Sequence, residues 1–81
     1  MPTVLRKDGF RFFFFSNEND EPPHVHVEKA EGVAKFWLQP DVELAWAVRL
    51  GQRDRTRLLR FIEEQQEFFL EKWNEHFESE T

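Results

Sequence analysis

Residues 24–39 read HVHVEKAEGVAKFWLQ. In an extended chain, side chains alternate between the two faces. Val25 and Val27 then fall on one side, and His24, His26 and Glu28 on the other. A Glu31-Gly32 turn pairs Ala30 with Val33, Glu28 with Lys35, Val27 with Phe36, His26 with Trp37 and Val25 with Leu38. One face of this hairpin is apolar (Val25, Val27, Phe36, Leu38). The other carries His24, His26, Glu28, Lys35, Trp37 and Gln39, with Glu28 and Lys35 a favourable cross-strand pair. The histidines are therefore expected opposite the core, beside Trp37, where a ligand can reach them.

A second hairpin precedes it. Asp8-Gly9 is a strong two-residue turn signal between PTVLR and the run Phe10–Phe15. It pairs Lys7 with Phe10, Leu5 with Phe12 and Val4 with Phe13. Phe10, Phe12 and Phe14 share a face, and Arg11, Phe13 and Phe15 share the other. A strand apolar on both faces is covered twice or meets a partner. Residues 16–23, SNENDEPP, form a polar turn-rich loop. The prolines at its end narrow φ and donate no backbone hydrogen bond into the histidine strand.

Beyond Pro40, Val42, Leu44, Trp46 and Val48 alternate with Glu43, Ala45 and Ala47, which favours a fifth strand over a short helix. Gly51 breaks the chain, and Asp54 is the expected N-cap of a long helix. At ~100° per residue, Leu58, Ile62, Phe69, Trp73 and Phe77 form one apolar stripe. The expected architecture is α+β: one domain with an antiparallel sheet of four to five strands and one long C-terminal helix packed across one face. Strands are expected at about 2–6, 10–16, 24–30, 33–39 and 42–48, and the helix at about 53–77.

Composition narrows the function classes. Eighty-one residues suffice for a single small domain, and such domains are marginally stable alone. There is no cysteine, which removes disulfides and thiolate metal sites and fits a cytoplasmic protein. No signal peptide or membrane-length apolar run is present, so no membrane role is expected. A net charge of −5 argues against general nucleic-acid binding, yet the charge is segregated. Residues 49–60 hold five arginines against Asp54, while residues 63–80 hold seven glutamates against Lys72.

Several constellations carry chemistry. His24 and His26, at i and i+2, are a two-ligand arrangement for a metal, with zinc the best match. Asp20, Glu21, Glu28 and His76 are candidates for the missing ligand. The competing reading is two surface histidines stacked near Trp37 and bridged to local carboxylates. The same pair, with Lys35 and Arg11, supplies the residue types of metal-independent RNA cleavage: a base, an acid and cations for the phosphate. These types also meet by chance on many sheets, and the balance leans away from an enzyme.

Arg49, Arg53, Arg57 and Arg60 fall opposite the apolar stripe if the helical register extends that far back. Cations at a helix N-terminus oppose the macrodipole preference, so helix stability does not explain them. An acidic partner or a phosphate backbone does; a solvated face with Arg60–Glu63 and Arg60–Glu64 pairs is the alternative. Phe61 and Phe68 lie beyond the stripe on one side of the helix. They read as core edge or, with Phe13 and Phe15, as a surface for another protein or a second copy of the chain.

Taken together, PTVLR, GFRFFFFSNE, EPPHVHVE, AKFWL and LEKWNEHF resemble the small prokaryotic family catalogued as domain of unknown function 4160. The likeness covers nearly the whole chain, and Pro22, Pro23, His24, His26, Trp37 and Trp73 match its pattern. Gly51-Gln52-Arg53 departs from the family's Gly-Phe-Ser type of helix start. The resemblance implies a protein encoded beside a second small protein, as in a toxin–antitoxin-type or regulatory two-gene module. The function expected is thus a partner-binding component of such a module, with a ribonuclease-like enzyme and a His/carboxylate metal-binding domain as alternatives.

Overall fold

The Asp8-Gly9 turn forms where the sequence places it, with both residues at positive φ. The computed structural model of the chain describes residues 3–15 and 20–78. Strands β1 (Thr3–Lys7), β2 (Phe10–Phe13), β3 (His24–Lys29), β4 (Gly32–Trp37) and β5 (Glu43–Val48) form one antiparallel sheet in the order β1-β2-β3-β4-β5. Helices α1 (Gln52–Glu64) and α2 (Gln66–Glu78) follow. The fold is α+β. Residues 2 and 16 of the expected strands lie outside the described residues, and β2 ends at Phe13.

In the first hairpin, Lys7 pairs with Phe10 and Leu5 with Phe12 as expected, but Phe13 pairs with Thr3 across an irregularity at Val4. The second hairpin differs more. Lys29 pairs with Gly32, so the turn is Ala30-Glu31, with Ala30 at φ 52. The register is Val25–Phe36, His26–Lys35 and His24–Trp37, two residues from the expected one. The shift is even, so every side chain keeps its face. Its cause is Gly32. A Cβ there would run into the Arg49 carbonyl oxygen and lie 2.7 Å from Leu50 Cδ2. The glycine serves close strand approach and not the turn.

The fifth element is a strand, as favoured, but with a break in its alternation. Trp46 pairs with Lys35 and Leu44 with Phe36, leaving Ala45 as a bulge. Leu44 therefore sits opposite a residue of the core face, whereas Trp46 and Val48 pair with Lys35 and Val33 on the other. Ala47 is the β5 side chain packed against the core.

The helical segment is not continuous. Gly51, and not Asp54, occupies the N-cap, without a side-chain hydrogen bond. The helix breaks at Gln65 (φ −110°, ψ 22°), whose N–H donates to Phe61 and Ile62 carbonyls. Beside the break, Gln66 Nε2 donates to the Leu38 carbonyl at 2.7 Å and the Pro40 carbonyl at 3.2 Å. These bonds tie the helix bend to the β4–β5 connection. The break falls between the two halves of the apolar stripe. With it, Leu58 and Ile62 of α1 and Phe69, Trp73 and Phe77 of α2 all reach the core. They meet Phe10, Phe12, Phe14, Val25, Val27, Ala34, Phe36 and Leu38. Each fully buried phenylalanine contributes ~1.5–3 kcal/mol. Among the described residues, no helix is long and apolar enough to cross a membrane.

Candidate functional site

The β3 histidines are buried, not open. His24 is 0% exposed and His26 5% exposed. Sequence alternation assigns them correctly to the face opposite Val25 and Val27, but that face is covered. The expectation that they stand available to a ligand is corrected here.

Two kinds of cover account for this. His26 stacks on its cross-strand partner Phe13 at 5.5 Å between centroids and meets the edge of Phe15 at 4.6 Å. Trp46 lies 6.2 Å away on the β5 side. His24 meets Trp37 at 5.5 Å and His26 at 5.1 Å, and it reaches Trp73 of α2 at 4.9 Å. Phe13, read as outer-surface phenylalanine, is itself buried, and Phe15 is half-buried.

The double proline finds its use in this packing. His24 Nδ1 lies 2.9 Å from the Pro22 carbonyl, which can only accept, so Nδ1 is the donor. The Pro23 carbonyl accepts from Leu38 N–H at 3.0 Å, extending the β3–β4 ladder past its last pair. Both prolines thus place a carbonyl and bring no N–H that would need a partner.

Lys35 and Arg11 join the histidines on this face, as the sequence implies, but each is committed. Arg11 Nη1 is 2.9 Å from Glu28 Oε1, Nε donates to Thr3 Oγ1 at 2.8 Å, and the guanidinium lies 4.5 Å from the Phe13 ring centre. Lys35 Nζ is 2.6 Å from Glu21 Oε1 and 4.4 Å from the Trp37 ring centre. Two carboxylates weighed as metal ligands, Glu21 and Glu28, are therefore in ion pairs. Among the described residues, no group of three or more His, Asp or Glu side chains is disposed to hold a metal ion. Chemically, the arrangement is an aromatic and ion-paired layer with its imidazoles inside.

The arginines divide. Arg49 lies beyond the end of β5, at φ 58, and the helix begins only at Gln52. It does not belong to the helix face. Arg53, Arg57 and Arg60 are exposed on α1. Arg57 Nη2 approaches Asp8 at 3.9 Å, an exposed contact. The Arg60–Glu63 and Arg60–Glu64 pairs of the alternative reading do not form, and among the described residues no carboxylate lies within ion-pair distance of Arg53 or Arg60. Asp54 instead faces Lys29 at 3.8 Å.

Phe61 and Phe68 are core-edge residues. Phe61 packs on Phe12 at 5.5 Å and on Phe69 at 6.3 Å, and Phe68 on Phe69 at 5.3 Å. Trp37 is half-buried between His24 and Lys35. Among the described residues, the open large apolar side chains are instead Leu44 (40% exposed), Trp46 (43%) and Val48 (51%). The signal for them was an apolar alternation on the last strand of a sheet, where one side has no neighbour.

A family model described as Domain of unknown function (DUF4160) matches residues 9–74, and the chain belongs to that family. No curated protein and no solved structure matches the chain.

Proposed function

We propose that this DUF4160 member is a partner-binding component of a small two-gene module of toxin–antitoxin or regulatory type, acting in the cytoplasm. The observation that carries this reading is the basic side of α1. Arg53, Arg57 and Arg60 stand exposed on one helix, without the intrahelical ion pairs that would neutralise them. An acidic surface on a second small protein fits this array. The net charge of −5 disfavours RNA as the general ligand, although a phosphate backbone offers the same charge.

Ribonuclease-like chemistry by His24, His26, Lys35 and Arg11 is the second reading. Its support is their placement on one sheet face, with His26 directly opposite Lys35. It requires imidazoles that are now covered to meet a substrate. A zinc site on His24 and His26 draws the least support, because Glu21 and Glu28 are held by cations.

The test is co-expression with a second small protein of the kind that the family resemblance expects to be encoded beside this chain, using wild type and an Arg53→Glu/Arg57→Glu/Arg60→Glu variant. The wild type should co-purify with it, and the charge-reversed chain should not, at matched solubility and unfolding midpoint. Equal recovery by both would sink the arginine-face reading. Growth arrest by the wild type alone, relieved by the second protein, would identify the toxin role.

A further inference from the structure

The outer side of the two helices carries a charge pattern with a symmetry of its own. Arg53, Arg57, Arg60, Glu64, Glu67 and Glu71 recur at alternating intervals of four and three residues, and all are exposed. At ~100° per residue they fall within a band about 80° wide, opposite the stripe of Leu58, Ile62, Phe69 and Trp73. That core stripe continues across the break at Gln65, so the charged band behind it continues as well. Its first half is wholly basic and its second half wholly acidic.

Within one chain this pattern is unfavourable. Like charges stand three and four residues apart in both halves, and Arg53 lies in the first turn of α1, where a cation is disfavoured. Among the described residues, Arg53, Arg60, Glu64, Glu67 and Glu71 make no ion pair, and Arg57 only approaches Asp8 at 3.9 Å. Beside the break lies an open depression lined by Glu63, Glu64, Glu67 and Glu71. An antiparallel copy of the same band answers both halves at once. With a two-fold axis between Arg60 and Glu64, Arg60 faces Glu64 of the second copy, Arg57 faces Glu67 and Arg53 faces Glu71. Each pairing occurs twice. The intervals read the same from both ends, which an antiparallel two-fold helix pair requires. A parallel copy would set arginine against arginine.

We infer that this chain self-associates through the outer sides of α1 and α2, as an antiparallel two-fold dimer held by these ion pairs. The occupant is a second copy, because the band carries, in register, the complement of its own charges. The contact is charged and solvent-rimmed, so the dimer is weak and salt-sensitive. A net charge of −5 on each chain opposes it at long range, but salt of about 0.1 M screens beyond ~10 Å and leaves the close pairs. The inference uses the arginines of the proposed function without resting on that reading. A second copy and an acidic partner are alternative occupants of one side.

Sedimentation velocity on the purified chain, over a concentration series reaching millimolar, tests it. The series is run in salt of about 0.1 M and about 1 M, where the screening length falls from ~10 Å to ~3 Å. Wild type should shift from monomer to dimer in the lower salt, and its Kd should rise more than about tenfold in the higher. Arg53→Glu/Arg57→Glu and Glu67→Arg/Glu71→Arg should each stay monomeric alone. Mixed in equal amounts they should associate, since every pair across the axis is then opposite in charge. All four positions are exposed, and circular dichroism melts check that each variant is folded. A wild type monomeric throughout the lower-salt series overturns the inference. So does a dimer indifferent to salt, one that survives in either variant alone, or a mixture that stays monomeric. No second protein is present, so none of these failures bears on the co-purification test.

Discussion

His24 of β3 and Trp73 of α2 lie with ring centroids 4.9 Å apart, so the first histidine of the pair joins the sheet to the last stretch of helix. The same imidazole is hydrogen-bonded to the Pro22 carbonyl and wholly buried. One side chain thus connects the loop entering β3, the β4 neighbour Trp37 and the helical layer. It is placed as a structural tie.

His24→Ala should therefore lower stability by about 2 kcal/mol, through lost packing and a carbonyl left without its donor. Urea unfolding measures this directly. An unchanged midpoint would show that the ring holds nothing together. Growth or activity comparisons using His24 variants need matched folded populations for this reason.

Two glycines make different predictions. Gly32→Ala drives a Cβ into the Arg49 carbonyl and Leu50, and should cost about 1–3 kcal/mol. Gly51, at φ −69, has nothing within 4 Å of its Cβ position, so Gly51→Ala meets no clash; the gain from a less flexible unfolded chain is offset by alanine's poorer N-cap, and the change should stay within about 1 kcal/mol of wild type. Thermal melts of the two variants should move apart. Equal destabilisation would contradict the close approach assigned to Gly32.

Gln66→Ala removes both bonds to the Leu38 and Pro40 carbonyls and should cost about 1 kcal/mol. Its exposed neighbour supplies the control: Gln65→Ala should stay within about 0.5 kcal/mol of wild type. If the two are indistinguishable in denaturant, the helix bend is not anchored through Gln66.

The Lys35–Glu21 pair is asymmetric, with side chains 11% and 39% exposed. Glu21→Gln should cost only about 1 kcal/mol, because solvent screens the carboxylate. The loss should change less with salt than that from Lys72→Gln, whose ion pair with Glu75 is 43% and 66% exposed. Melts at low and high ionic strength compare them, and a Glu21→Gln effect abolished by salt would place that pair at the open surface.

Zinc or a chelator should leave the unfolding midpoint unmoved, since among the described residues no three ligands converge. A rise in midpoint that follows zinc concentration would reinstate a site on the histidine strand.

Much of this architecture is local information. Turn residues and a period of two specified the first hairpin, a period of two specified the second but not its turn, and the 3.6-residue stripe specified the helical layer. The face on which each β3 and β4 side chain lies was also legible, surviving a register shift of two because the side-chain period is two. The shift itself was not legible. Gly32 looks like a turn glycine until Arg49 and Leu50, distant in sequence, arrive beside it.

Burial of the histidines was beyond the sequence for the same reason. Alternation states which way His24 and His26 point, but not what lies there. Phe13 and Phe15, Trp46, and Trp73 come from three other segments, and only long-range packing assembles them around two imidazoles. Conversely, the exposure of Trp46 and Val48 follows from β5 being last in the sheet, a fact of strand order. The sequence by itself determined the elements, because periodicity and turn chemistry act over a few residues. Tertiary structure decided which surfaces are closed and which are open, because burial depends on partners the local pattern does not encode.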